Sequence, residues 1–228
     1  MDLSYRLKQT DEEIGQGLRL RIESLENLNE TIDRIFAELE KTGQQSLLEE
    51  YCPYFGVIWP SARALSRYLC RLPKERLRNG SFLEIGCGLA LPSLTAAKLG
   101  ARVTATDFHS EVPKFLERNQ RLNLLTTIEY LHSDWRKDEG RSFENAYDWV
   151  IGSDILYERH HPAEVARFID RHLSHWGTAV VTDPGRPYLQ EFVSEMRRLG
   201  FREYLETERI HDVPEAKDIF VLVFKKMK

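Results

Sequence analysis

The sequence has few cysteines, no long apolar run and no excess of positive charge, and each shortage excludes a class of protein. Three widely separated cysteines among 228 residues form neither a disulfide framework nor a metal-ligand spacing, so we expect a protein of the reducing cytoplasm. The net charge of -4 argues against binding to long nucleic-acid tracts. No apolar run reaches membrane-spanning length and the N-terminus does not resemble a signal peptide, so we expect no membrane partner.

Histidine is sparse as well, and its positions do not predict a metal site. His160, His161, His172 and His175 follow one another along a predicted helix without an accompanying acidic ligand motif. We therefore expect no bound metal. The chain also contains no internal repeat and no low-complexity segment.

A regular alternation of strand and helix patterns fills the chain from residue 82 onward. Strands are predicted over 82–86, 102–106, 127–131, 147–152, 178–182, 201–210 and 218–224, and helices over about 90–99, 111–122, 161–174 and 187–199. Such alternation implies right-handed crossovers and a mainly parallel sheet covered on both faces. The last two strands are joined by a short loop containing Pro214 and should form an antiparallel hairpin at one edge. The predicted fold class is α/β, a Rossmann-like doubly wound seven-strand sheet.

The first 50 residues are predicted to form an accessory element, a short β-hairpin followed by a helix. Apolar and polar residues alternate on both sides of Gly15-Gln16-Gly17, as in half-buried strands, and apolar residues at helical spacing follow. The composition then becomes dense in aromatics and prolines, which marks the start of a main domain over residues 51–228. Within it, Pro60 is predicted to begin a helix and residues 73–80 to form a polar loop.

The most informative segment is an apolar strand followed by Gly86-Cys87-Gly88, with Asp107 at the end of the next strand. Gly86 and Gly88 leave room for a ligand to lie against the backbone, because a Cβ atom there would occupy that space. Asp107 follows Gly86 at close to the spacing of about 20 residues at which a carboxylate accepts both hydroxyls of an adenosine ribose. The pattern predicts a site for a nucleoside cofactor.

Two details separate the candidate cofactors. A dinucleotide site has a small third residue in Gly-x-Gly-x-x-Gly/Ala and an open helix N-terminus for pyrophosphate, whereas the third position here is the bulky Leu91. Glu84, just before the glycines, would repel a pyrophosphate but suits a cofactor with an amino group and a sulfonium charge. Both features favour S-adenosylmethionine over NAD, and Glu84 is among its predicted contacts.

Further candidate residues follow the ends of other strands, where ligands bind in open α/β sheets. Asp134 is predicted to accept the exocyclic amine of adenine, and Trp135 to offer a flat wall for the ring. Ser153 is predicted to line the same pocket, and Trp59 to close over the methionine end of the cofactor. For both tryptophans the alternative is a packing role.

Together these segments resemble the nicotinamide N-methyltransferase-like group, which includes the seven-strand protein-lysine methyltransferases. The resemblance covers roughly residues 25–228, with Ala90 in place of a frequent third glycine. It implies that the cofactor is contacted by Trp59, Gly86, Cys87, Gly88, Asp107, Trp135 and Ser153. It also implies that Asp154 and Tyr157, an Asp-x-x-Tyr motif after the fourth strand, lie where the acceptor amine enters.

The resemblance predicts an S-adenosylmethionine-dependent N-methyltransferase whose acceptor is a protein lysine. Asp154 and Tyr157 would orient the amine, and Asp154 would assist, directly or through water, in removing its proton. Three alternatives stay open: a methyltransferase for a small amine, a nucleic-acid base methyltransferase, and a cofactor-binding module without catalysis. The base reading is disfavoured because the loop after the fourth strand lacks the Asn/Asp-Pro-Pro-aromatic pattern.

Overall fold

A seven-stranded sheet positions the site, in a computed structural model that describes residues 5–125, 128–137, 146–210 and 217–226. No helix in these four ranges is long and apolar enough to cross a bilayer. The elements in chain order are β1 (Leu7–Gly15), β2 (Leu18–Leu25), α1 (Leu28–Lys41), α2 (Leu48–Tyr51), α3 (Pro60–Arg71), α4 (Lys74–Asn79), β3 (Ser81–Ile85), α5 (Leu91–Lys98), β4 (Arg102–Asp107), α6 (Val112–Leu122), β5 (Ile128–His132), β6 (Tyr147–Ser153), α7 (His161–His172), β7 (Leu173–Asp183), α8 (Leu189–Arg198), β8 (Phe201–Ile210) and β9 (Lys217–Lys226).

The strand order in the large sheet is β5-β4-β3-β6-β7-β9-β8. Neighbours from β5 to β7 are parallel, and β9 pairs antiparallel with both β7 and β8. This arrangement confirms the predicted Rossmann-like sheet with an antiparallel hairpin near one edge, although the loop containing Pro214 lies outside the described residues. From β3 the chain continues to β4 and β5 on one side of the sheet, and then returns to β6 and β7 on the other side. Ligands in open α/β sheets bind at such a switch point, which here lies between β3 and β6.

Each face of the sheet carries its own apolar cluster, because successive residues of a strand point to opposite faces. Phe82 and Trp149 stack with ring centroids 5.4 Å apart on the face covered by α3, α5 and α6. Leu83 and Val150 belong to the cluster covered by α7 and α8. The alternation assigns Glu84 to the same face as Phe82, which fixes what this carboxylate can contact.

The N-terminal residues form the predicted antiparallel hairpin, β1 with β2, followed by α1. The outer edge of β2 is bonded to two asparagines one turn apart, Asn119 on α6 and Asn123 directly after its last residue. The amide of Glu23 donates to Asn119 Oδ1 at 2.7 Å, and the amide of Arg21 donates to Asn123 Oδ1 at 2.9 Å. These bonds satisfy an edge that would otherwise be unpaired. The division into residues 1–50 and 51–228 stays a prediction.

Two expectations about local structure were wrong. The polar loop predicted over residues 73–80 contains α4, because Pro73 precedes its first turn and Leu77 anchors it with 1% exposure. A single buried side chain among charged neighbours was too weak a signal for a helix. In addition, β7 begins at Leu173, five residues before the predicted strand. Leu173 pairs with Tyr147, and the register is irregular between that pair and the next one, Trp149 with Thr178.

Candidate active site

A cavity of about 1110 Å³, including its open mouth, lies at the switch point of the sheet. All but one of the predicted site residues line it, namely Trp59, Gly86, Cys87, Gly88, Asp107, Asp134, Trp135, Ser153, Asp154 and Tyr157. Several further lining residues were not expected from the sequence, among them Tyr54, Phe55, Phe108, His109, Arg136 and His161.

The glycine turn after β3 leaves no space for side chains. Gly86 and Gly88 have φ values of +61° and +51°, a backbone region that favours glycine. A Cβ atom on Gly86 would lie 2.9 Å from Ile155 and 3.2 Å from the Trp135 ring. A Cβ atom on Gly88 would lie 3.1 Å from the carbonyl oxygen of Phe55. The turn therefore offers bare backbone at the cavity, and its contact with a cofactor stays a prediction.

Asp107 is fixed at the end of β4 by backbone amides. Its Oδ2 accepts from the amide of Gly88 at 2.9 Å, and its Oδ1 accepts from the amide of His109 at 3.0 Å. Burial raises the pKa of this carboxyl group, and hydrogen bonds from the amides of His109, Gly88 and Phe108 act against that rise. A carboxylate accepts about four hydrogen bonds, so these three amides leave it capacity for a ligand hydroxyl.

Glu84 is the exception among the predicted cofactor residues, since it does not line the cavity. It is fully buried against α5, where its Oε2 accepts from the Ser93 amide at 2.9 Å and from the Ser93 hydroxyl. Burial raises the pKa of Glu84 to about 8. The expected cofactor contact is therefore replaced by a link between β3 and α5, because strand alternation directs this side chain to the helix and not to the turn.

The cavity wall that contains Asp134 and Trp135 includes more residues than predicted. Both carboxylate oxygens of Asp134 pair with the guanidinium of Arg136, with Nε 2.8 Å from Oδ1 and Nη2 3.0 Å from Oδ2. The same guanidinium lies 5.3 Å from the ring centroid of Phe108. Phe108 follows Asp107 directly, and that position was the available signal for its role. Asp134 and Trp135 thus share this wall with Arg136 and Phe108.

Trp59 belongs to an aromatic border formed by the segment before α3. Its indole Nε1 donates to the carbonyl oxygen of Tyr54 at 3.0 Å. Phe55 packs on His109 with ring centroids 4.2 Å apart, and burial lowers the pKa of His109 to about 4, so this imidazole is neutral near pH 7. The dense aromatic composition of residues 51–60 was the sequence signal, although it did not identify which rings meet.

Asp154 lies at the start of the turn after β6, next to the lining residue Ser153. Its backbone has φ +58°, and its amide donates to the carbonyl oxygen of Thr182 at 2.9 Å. Its buried carboxylate oxygen Oδ1 accepts from Nε of Arg186 at 2.6 Å and lies 2.6 Å from Nη2. The backbone amide of Arg186 in turn donates to Asp183 at 2.7 Å. The sequence contained no signal for the contact of Arg186 with Asp154.

Tyr157 completes the Asp-x-x-Tyr motif at the cavity, with 38% of its surface exposed. Polar atoms of Glu158, His160 and His161 lie within 4.8 Å of one another beside it. His160 Nε2 is 3.3 Å from the Glu158 carboxylate, which is an ion pair when the imidazole is protonated. His172 lies at the other end of α7. The expectation of no bound metal stays a prediction.

Comparison with known proteins places this geometry among methyltransferases. The model of a family described as "Lysine methyltransferase" matches residues 48–192. Protein N-lysine methyltransferase METTL21A of Xenopus tropicalis is 30% identical over 177 residues, which is 75% of this chain and 76% of that protein. Histone-arginine methyltransferase METTL23 of Xenopus laevis is 32% identical over 111 residues, which is 47% of this chain and 47% of that protein.

Among solved structures, a SAM-dependent methyltransferase from Methanosarcina mazei superposes with a TM-score of 0.56. The match covers 66% of this chain and 93% of the other at 17% identity. At that identity the similarity concerns the fold. It agrees with the strand order and the switch-point cavity described above.

Proposed function

This chain belongs to the lysine methyltransferase family, and we propose that it transfers a methyl group from S-adenosylmethionine to the side-chain amine of a lysine in a protein substrate. One observation carries the proposal. The glycine turn, Asp107 and the Asp154–Tyr157 pair all line a single cavity at the switch point of the sheet.

The residues of the cavity fit S-adenosylmethionine in three ways. The turn at Gly86 and Gly88 presents bare backbone to the cavity, the Asp107 carboxylate borders it as an acceptor for a ribose hydroxyl, and Trp135 and Phe108 supply aromatic surface for an adenine. The bound cofactor supplies a methyl group already activated by a sulfonium. The protein then needs mainly to align the acceptor nitrogen and exclude unproductive poses.

At the acceptor side we assign orientation of the amine to Asp154 and Tyr157. The Asp154 carboxylate is held by Arg186 through Oδ1, so its direction is fixed before a substrate arrives. A fixed carboxylate would favour the positive charge that develops on nitrogen as the bond from nitrogen to the methyl carbon forms and the bond from that carbon to sulfur breaks, with the thioether as leaving group. Tyr157 borders the same space and restricts where the nitrogen sits.

Exposure at the cavity mouth supports a protein acceptor over a small amine. Tyr54 and Tyr157 are 50% and 38% exposed, so the acceptor part of the cavity opens to solvent between aromatic rings. An open mouth admits a long side chain that remains attached to a folded protein. METTL21A is named for lysine and METTL23 for arginine, so the test must distinguish these two side chains.

The test supplies the protein with radiolabelled S-adenosylmethionine and a cell lysate, and separates the protein, nucleic-acid and small-molecule fractions. We expect label in protein, and methyl-lysine after its hydrolysis. Asp107→Asn, with one ribose acceptor replaced, should reduce incorporation by about tenfold. Label recovered as methyl-arginine or in a small molecule would refute the lysine assignment, and no label in any fraction would favour a binding module.

We also propose that the protein works in the reducing cytoplasm. Cys52, Cys70 and Cys87 are free and buried, and burial raises the pKa of each thiol. Such thiols are unreactive and form no disulfide. Fractionation of the source cells would show the protein with soluble cytoplasmic markers, and its recovery from another compartment would contradict the proposal.

A further inference from the structure

His161 is a polar residue at the cavity that the assignments above leave without a role. It begins α7 and is only 3% exposed, yet it is among the lining residues. Its Nδ1 lies 2.8 Å from the carbonyl oxygen of Ile155. A ring nitrogen facing a carbonyl oxygen carries the proton, so Nδ1–H donates this bond. The bond ties α7 to the turn that begins with Asp154.

The same imidazole meets one aromatic ring from each part of the cavity. Its centroid is 5.3 Å from that of Trp135, with an interplanar angle of 88°, and 4.6 Å from that of Tyr157, with an angle of 83°. Edge-to-face contacts are directional and restrict the planes of both partners. Trp135 belongs to the cofactor wall and Tyr157 to the acceptor side, so one buried side chain lies between the two.

We propose that His161 is a positioning residue that holds the Trp135 indole and the Tyr157 phenol in one relative arrangement. The bond to Ile155 prevents the imidazole from turning, and the imidazole then limits the rotation of both rings. Misplacement of reacting groups by about 1 Å can cost about 100-fold in rate, so alignment at this junction matters for transfer. The inference rests on the proposed function for its kinetic part.

Two variants and a matched control separate the hydrogen bond of His161 to Ile155 from the contacts of its ring. His161→Asn keeps an N–H donor for the Ile155 carbonyl but removes the contacts with the Trp135, Tyr157 and His160 rings. His161→Phe keeps a ring but removes the donor. His172→Asn is the control, because His172 lies on the same helix with Nδ1 also 2.8 Å from a backbone carbonyl oxygen, that of Phe168. His172 is not among the described residues that line the cavity.

Each protein is titrated with S-adenosylhomocysteine and then assayed for kcat and KM with a methyl acceptor, below its melting temperature. For His161→Asn we expect a Kd raised about fivefold through Trp135 and a kcat lowered about tenfold or more through Tyr157. His161→Phe should lose kcat as well, because its ring is no longer anchored. The control should match the wild type in both quantities.

The variant Tyr157→Ala distinguishes positioning of the Tyr157 ring by His161 from a merely structural role of His161. There His161→Asn should cause little further loss of kcat, since the ring that it positions is gone. The proposal would be overturned if both His161 variants kept the Kd and kcat of the wild type, or if only one of these two quantities changed. It would also be overturned if the losses of kcat from His161→Asn and Tyr157→Ala were fully additive. If the wild type transfers no methyl group, the proposed function fails, and the S-adenosylhomocysteine titration alone decides whether His161 positions Trp135.

Discussion

Asp154 is held in place by residues that lie far from it in the sequence. Arg186, which pairs with its carboxylate, is 32 positions further along the chain, and Thr182 accepts from its amide. The Asp-x-x-Tyr spacing therefore identified the carboxylate but contained no signal for the guanidinium that orients it. The pair brings one negative and one positive charge to the acceptor side, where the sequence indicated only the negative one.

At this scale the account predicts that Asp154→Asn keeps S-adenosylhomocysteine affinity within about twofold but lowers kcat about 100-fold, because the charge that favours the developing cation is lost. Arg186→Met should lower kcat as well, and should reduce the free energy of unfolding by about 2 kcal/mol by leaving the buried carboxylate oxygen without its partner. Steady-state kinetics and urea denaturation measure both effects.

Arg209→Met serves as the control for Arg186→Met, since Arg209 forms an ion pair with Asp218 in which both side chains are about half exposed. Removal of an exposed pair costs between 0 and about 1 kcal/mol. Wild-type turnover in Asp154→Asn would show that its carboxylate has no part in the reaction.

At the scale of elements, strands and helices with a regular apolar period could be predicted closely from the sequence. Apart from the early start of β7, the strands from β3 to β9 and the helices α5 to α8 were found near their expected bounds, because apolar residues recur along most of them. The short helix α4 was not, since a single buried leucine gives no period. The hydrogen bonds of β2 to Asn119 and Asn123 could not be predicted from the sequence either, because two polar residues give no periodic signal.

Glu84 belongs to the predicted cofactor motif, but in the fold it links β3 to α5. Its burial also makes the stability of the protein depend on pH. Burial raises its pKa from 4.5 to about 8 in the folded protein. Between these values the folded state keeps a proton that the unfolded chain releases, so the contribution of Glu84 to stability is complete below pH 4.5 and is lost as the pH rises through 8.

We therefore expect Glu84→Gln to unfold at a higher urea concentration than the wild type at pH 8, and at nearly the same concentration at pH 5. Glutamine keeps an oxygen for Ser93 and never ionises. Glu117→Gln on α6 is the control, because Glu117 is exposed and its replacement should give no such trend. If the difference in unfolding urea concentration between Glu84→Gln and the wild type did not grow with pH, Glu84 would not be a buried carboxyl group that is protonated in the folded state.

At the scale of the whole molecule, the cavity is assembled from strand ends that the parallel topology brings together. That rule correctly grouped Gly86, Asp107, Trp135 and Asp154, because carboxyl ends of parallel strands meet at one edge of the sheet. It gave no information on contacts from outside the sheet. The aromatic segment before α3 and His161 on α7 reach the cavity through packing between distant parts of the chain.

The central claim is that the glycine turn with Asp107 holds S-adenosylmethionine, and calorimetric titration with S-adenosylhomocysteine tests it most directly. Gly86→Ala would direct a Cβ atom toward Ile155 and Trp135, whereas Gly43→Ala introduces the same left-handed strain, at φ +67°, with no atom within 4 Å. We predict one site per chain, an affinity unchanged in Gly43→Ala, and an affinity at least about tenfold weaker in Gly86→Ala. Absence of binding to the wild type, or equal affinity in Gly86→Ala, would contradict the account.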